Sequence, residues 1–387
     1  MSTLNSRKQK IFSMTLTIKP VTGRYLQQRF IQVPWRMYQD DPAWVPPLIM
    51  DVKQHLDPKN PYFAHARLQS WIAFRGTAAV GRISAQVDQL HLEHHREQCG
   101  FFGMLEAEDR RETFTALFDA ARAWLRKQGM KRIMGPFNLS INQECGLLTS
   151  GFDTPPFIMM GHARPYYAPR IEEQGFTPVK ELLAYMVRAD FSPPRAMKAV
   201  IGRTKENIRI RPLDRSRFKE DVQAIGDIFN DAWSDNWGFI PLTRDELEAM
   251  GRDLKLLVDK RFIQIAEVQG KPAAMIIALP NVNESIADLN GRLLPLGWLK
   301  LLWRLKVRHP KTARVALMGV RKEYQHRLIG AALAFKVIDA VRHELAKKGA
   351  MDVEMSWILE DNLEMRKILE AIGSRISKRY MIYKKSI

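Results

Sequence analysis

Cysteine is nearly absent, with only Cys99 and Cys145 in 387 residues. That excludes a disulfide-built fold and fits a reducing compartment. Long apolar runs are missing too. The most lipid-like insertion, residues 293–308, is interrupted by Lys300, whereas a membrane-crossing helix needs roughly 20 mostly apolar residues. The first residues, MSTLNSRKQKIFSMTL, lack the apolar core of a secretion signal, so a cytoplasmic protein is expected. Acidic side chains are also scarce: 42 Asp and Glu face 60 Lys and Arg, a formal net charge of +18. None lies between Leu289 and Lys322. Such an excess predicts a polyanionic partner, whether nucleic acid, an anionic membrane surface or a phosphorylated cofactor, without choosing among them.

A hydrophobic content of 46% is that of a globular protein, and the length allows two domains. The order of elements repeats. In the first half, strands at 69–75 and 78–87 flank a tight turn, a strand at 100–106 leads to a helix at 111–128, and a strand at 131–137 follows. The second half has strands at 262–268 and 273–279, a strand at 314–320, a helix at 331–348 and a strand at 351–357. Each half thus predicts an antiparallel meander closed by a strand, helix and strand unit whose last pair is parallel. Prolines near 189–194 mark the boundary. Residues 314–333, RVALMGVRKEYQHRLIGAAL, deliver a strand through a basic turn into a helix N-terminus, where free amides and a positive dipole end suit a phosphate or pyrophosphate.

This plan resembles the GNAT (acyl-CoA N-acyltransferase) fold. The expected architecture is α/β: two tandem GNAT-like domains, each a mixed, mostly antiparallel sheet flanked by helices. They are placed at 14–190 and 191–387, behind a flexible segment at 1–13. The family turn that holds the coenzyme A pyrophosphate reads Arg or Gln, two residues, Gly, one residue, Gly or Ala. Gln325, Leu328 and Gly330 occupy those places, so the resemblance assigns acyl-CoA binding to Met318, Val320, Gln325, Arg327, Leu328, Ile329, Gly330 and Asn362, with Leu328 crowding the pyrophosphate. Leu369 stands where many members have the tyrosine that protonates the departing thiolate. The equivalent first-half turn, EAEDRRETF, carries Glu106, Glu108 and Asp109, which would repel pyrophosphate. Over nearly its full length the chain is similar to a narrower group of tandem GNAT-like bacterial proteins, sometimes called YghO-like, that includes bacterial ceramide synthases. Residues 135–167, GPFNLSINQECGLLTSGFDTPPFIMMGHARPYY, and 294–306, LPLGWLKLLWRLK, carry that likeness.

Residues 135–167 are too rich in Gly, Pro and Asn for plain helix or strand and read as an ordered loop against an apolar site. Glu144 and His162 are its candidate bases; Asn142, Tyr167 and, beside the turn, Tyr324 are further candidates for hydrogen bonding or proton transfer. The insertion at 289–313 reads as a basic amphipathic helix. Lys300, Arg304 and Arg308 share one face, and Trp298 and Trp303 suit a headgroup boundary, so an anionic membrane surface is an expected partner. His91 and His95 have helical ligand spacing but no second ligand cluster, and no metal is expected. The resemblance implies acyl-CoA as co-substrate, no tightly bound cofactor, and a sphingoid-like amine acceptor at the cytoplasmic membrane face. The competing readings are a GNAT-fold binding protein without catalysis, a nucleic-acid-binding regulator, for which no helix-turn-helix or RNA-binding signature is evident, and acetylation of a small amine.

Overall fold

A computed structural model describes residues 15–387, apart from the side chains of 253–257; the flexible segment expected at 1–13 lies outside the described residues. The first half supplies β1 (Leu16–Pro20), β2 (Ala66–Arg75), β3 (Ala78–Asp88), β4 (Cys99–Ala107), β5 (Arg132–Gly135), β6 (Phe137–Asn138), β7 (Glu144–Cys145), β8 (Leu147–Ser150) and β9 (Thr177–Arg188). The second supplies β10 (Ile208–Pro212), β11 (Ile263–Val268), β12 (Lys271–Pro280), β13 (Thr312–Val320), β14 (Asp352–Leu359) and β15 (Arg375–Ser386). Both parallel pairs fall where the repeat places them, β4 with β5 and β13 with β14. The crossovers are the helices Arg111–Lys127 and Leu328–Lys347. In the first, Phe114, Leu117, Phe118, Ala121 and Leu125 recur at helical spacing and are buried.

The two halves share one sheet, ordered β1-β2-β3-β4-β5-β15-β9-β14-β13-β12-β11-β10, with β8 also on β15. β15, from the second half, lies between β5 and β9 of the first. β9, from the first half, pairs in turn with β14 of the second. Side chains alternate across a strand, so β9 feeds two cores. Leu182 and Ala184 enter the first hydrophobic cluster, whereas Leu183, Tyr185 and Val187 enter the second.

Neither half owns its seam strands. Residues 15–190 expressed alone would leave β5 and β9 with open edges facing a gap. They should give no cooperative unfolding transition by circular dichroism, and co-expression with residues 191–387 should restore one. A separately folded, monomeric first half would contradict the exchange.

Candidate functional site

β13 and β14 pair from Thr312↔Asp352 through Val315↔Met355, and there the pairing stops. β13 stays with β12 as far as Val320↔Ala274, while β14 stays with β9 from Asp352↔Arg188 to Leu359↔Leu182, with a register shift between Met355 and Ile358. A wedge opens between them, and a cavity of about 890 Å³ fills it. The Arg321 amide donates to Ala273 on the β12 side. Alternation along the strand therefore turns the amides of Met318 and Val320 toward the open edge. The Trp233 indole, on the same wall, donates to the Met318 carbonyl at 3.2 Å.

At one mouth of the cavity stand Gln325, His326, Arg327, Gly330 and Asn362. Gly330 allows the turn to fold back on its helix, because a β-carbon there would lie 2.2 Å from the Tyr324 carbonyl oxygen. The Leu328–Lys347 helix has no side-chain cap, so its first amides lack an acceptor from the chain's own capping side chain. Leu328, expected to crowd a pyrophosphate, is 48% exposed and does not line the cavity; neither does Ile329. Tyr324 also lies outside the lining, its hydroxyl raised by burial and by Glu323. Toward the interior the lining continues along one stripe of the helix, Ala331, Ala334, Ile338, Val341 and Leu345, opposite Leu369 and Ile372. Trp233, Asn236 and Trp237 also line the wedge. The aromatic density of DAWSDNWGF is the signal that could have found them.

The first half has the same wedge, and its own chain fills it. β4 and β5 part after Phe101↔Met134. Met104 stands three residues beyond that pair, as Met318 does beyond Val315, and its amide donates to Asn138 Oδ1 at 2.6 Å. The Phe137 carbonyl sits so close that a β-carbon on Gly103 would lie 1.9 Å from its oxygen. Asn138 in turn donates to Glu144 Oε1 at 2.5 Å, and burial pushes that carboxyl above its usual range while the hydrogen bond pulls it down. Tyr167 donates to Glu106 Oε2 at 2.7 Å and accepts the Ala107 amide. His162 lies 3.0 Å from Asp41, held below the usual imidazole range by burial against that carboxylate's pull. Asn142 donates to the Ile240 carbonyl and so ties the halves together. None of these four candidates lines the cavity. Nor is the acidic turn free to act electrostatically: Arg82 faces Glu106, Arg75 binds Glu108 and Arg170 binds Asp109. His91 and His95 bond Glu97 and the Phe239 carbonyl.

Beside the open wedge, the insertion folds as the helix Gly297–Trp303 running into a wider turn, Arg304–Arg308. The expected cationic face is partly spent at home, since Lys300 and Arg304 both pair with Asp288, one residue before the acid-free stretch. Leu301 and Leu305 pack inward against Val282 and Ile286. Its outward side chains are mixed: Leu294 is 79% and Val307 64% exposed beside Trp298, Leu302 and Trp303, and Arg292, Lys300, Lys306 and Arg308 are exposed among them. No described helix is long and apolar enough to cross a membrane.

No protein-family model matches the chain. It is 48% identical over 359 residues to Protein YghO of Escherichia coli (strain K12), covering 92% of each chain. It is 45% identical over 377 residues to Bacterial ceramide synthase of Caulobacter vibrioides, covering 96% of this chain and 98% of that one. Among solved structures, a GCN5-related glucosamine N-acetyltransferase region of a fungal multi-domain GH3 β-N-acetylglucosaminidase superimposes with a TM-score of 0.60 at 16% identity. That match covers 97% of this chain and 38% of that one. A tandem GNAT protein from the clavulanic acid biosynthesis pathway matches at a TM-score of 0.53 and 12% identity, covering 96% and 98%. At such identities the structures speak for the fold.

Asn138→Ala would leave the Met104 amide unsatisfied in the filled wedge and Glu144 without its donor. It should lower stability by about 2 kcal/mol in denaturant melts while acyl-CoA affinity stays unchanged. A loss of acyl-CoA binding at unchanged stability would instead place a ligand in the first half.

Proposed function

The chain belongs to the tandem GNAT-fold N-acyltransferase family that includes YghO and bacterial ceramide synthase, and from that premise we propose that it transfers a long-chain acyl group from acyl-CoA to the amine of a sphingoid-like base at the cytoplasmic face of a membrane. The observation that supports this best is the shape of the second-half cavity. From Gly330 to Leu345 its lining follows the helix for fifteen residues, about 22 Å at 1.5 Å per residue. One leaflet of a bilayer, half of a roughly 30 Å hydrocarbon core, houses a lipid chain in less. An acetyl group would leave most of such a stripe empty.

In this reading the helix N-terminus and the turn at Gln325 to Gly330 hold the pyrophosphate. The amides of Met318 and Val320 polarise the thioester carbonyl and stabilise the oxyanion. Trp233 and Trp237 border the amine's approach. The exposed apolar side chains of the insertion, with Arg292, Lys300, Lys306 and Arg308 among them, rest on anionic lipid, from which both substrates are drawn.

Purified protein given palmitoyl-CoA and sphinganine should yield an amide detectable by mass spectrometry. No product across acyl lengths and amines, with anionic vesicles present, would sink the reading. Ala334→Phe, midway along the stripe, should cut kcat/KM for long-chain donors by about tenfold or more and spare short ones; an unmoved chain-length preference would remove the stripe from the site. Leu302→Glu with Trp303→Glu should abolish co-sedimentation with anionic vesicles while activity on a water-soluble amine persists, and unchanged sedimentation would release the insertion from the membrane.

A further inference from the structure

Ser356 lies on β14 just past its last pair with β13, and it lines the cavity. A serine hydroxyl has one proton to give and two lone pairs. Here the proton goes to Glu354 Oε1 at 2.6 Å, and one lone pair accepts Arg314 Nε at 2.8 Å. The second lone pair has no partner among the described residues. Behind the serine, Glu354 is fully buried and its Oε2 is unpartnered. Arg314 is the register neighbour of Glu354, yet its remaining nitrogens turn to the Ile158 and Ser356 carbonyls. No cation forms a close ion pair with this carboxylate among the described residues. A buried carboxyl with an idle oxygen, bonded to a serine that lines a cavity and keeps an idle lone pair, is poorly explained as scaffolding, because an unsatisfied buried acceptor is destabilising.

We propose that Ser356 and Glu354 are the proton-accepting pair for the acceptor amine, Ser356 touching the substrate and Glu354 taking the proton through it. The assignment rests on the acyl-transfer reading above. An alkylammonium has a pKa of roughly 10 and must lose a proton before it can attack. One N–H proton passes to Ser356 Oγ as the serine's own proton passes to Glu354 Oε1, leaving the neutral amine. The C–N bond forms at the thioester carbonyl and the C–S bond breaks. The nitrogen's second proton goes to the departing thiolate, so amide and thiol leave neutral at the reacting centre. Glu354 then returns its proton through Ser356 to water in the emptied cavity.

Three other polar groups face the carboxylate, Arg314, Lys378 and Tyr380, with Cys145 and Glu144 on the far side of Arg314. Arg314 on β13 and Lys378 on β15 favour the carboxylate, but burial outweighs the serine bond and both cations and raises its pKa. Burial keeps the Tyr380 hydroxyl and the Cys145 thiol neutral, and Glu144 is itself raised by burial. Turnover therefore needs the Glu354 carboxylate, and its rate should climb with pH through that group's ionisation. Without the carboxylate, the rate should follow the free amine and rise only toward pH of roughly 10.

The test uses the full chain with palmitoyl-CoA and hexadecylamine. Glu354→Gln and Ser356→Ala should each lower kcat about 100-fold near neutral pH, leave the KM for palmitoyl-CoA within about threefold, and move the acid limb of the pH profile to the alkaline side. Ser356→Thr, which keeps the hydroxyl, should recover most of the rate. A second readout needs no turnover and, in the native protein, no variant. With a thioether analogue of palmitoyl-CoA bound, adding hexadecylamine should produce a protonated-carboxyl band in the infrared difference spectrum that shifts in deuterated water and is missing in Glu354→Gln. Variants that turn over within about threefold of the native protein with an unchanged pH profile would overturn the proposal. So would amine binding to the native protein without the carboxyl band. The band without any amide product would refute the acyl-transfer reading and support the pair.

Discussion

The reciprocal placement of β9 and β15 is the constraint on which the molecule depends. Without β15, the first half has a gap between β5 and β9; without β9, β14 loses its neighbour on the side away from β13. Because β9 sends alternate side chains into two cores, a one-residue slip in its register would exchange Leu182 and Ala184 with Leu183 and Tyr185 and damage both at once. The seam also carries buried polar groups. Lys378 on β15 donates to the carbonyls of Gly151 and Thr154, and Arg314 on β13 reaches the Ile158 carbonyl, so two cations of the second half hold the backbone of the first-half loop. Asn281 and Asn283 add bonds to the amide of Ile158 and the carbonyl of Pro156.

That seam explains how two similar halves come to differ. A parallel pair that parts after a few residues leaves a strand edge with unpaired amides, which need a partner. In the first half the partner is internal: Asn138 takes the Met104 amide, and the rest of the loop piles Glu144, Tyr167 and His162 behind it. In the second half the matching edge faces a cavity. Filling one wedge gives the seam loop a fixed base from which to brace the other.

The periodic elements were legible in the sequence, as were the parallel pairs and the turn at Gln325 to Gly330, because helix and strand periods and glycine positions are local signals. The expected helix at 331–348 begins three residues sooner, at Leu328, which turns that side chain outward and away from the cavity. The exchange of β9 and β15 was not legible, since a strand's own residues do not name a partner some 200 positions away. The surroundings of residues 135–167 were hidden for a related reason. Asparagine, histidine, glutamate and tyrosine among aromatics look the same whether they line a site or fill one, and only the partners of each atom tell the two apart. Ser356 gave no sequence signal because its interest lies in one idle lone pair.

Buried Leu369, at the position where the family resemblance implies a tyrosine acid, is consistent with the proton demands of thioester aminolysis. An alkylammonium holds its proton to a pKa of roughly 10, while a thiolate is a weak base, with simple thiols near 8.5. Once the C–N bond has formed, the nitrogen is acidic enough to supply the thiolate itself, so a dedicated acid accelerates a step that already runs downhill in basicity. Removing the first proton from the incoming ammonium has no such internal solution. In the proposed reaction, a chain that can keep only one proton-handling group beside an apolar cavity gains more from a base, and a carboxylate behind a serine would supply one without placing a charge against an acyl chain.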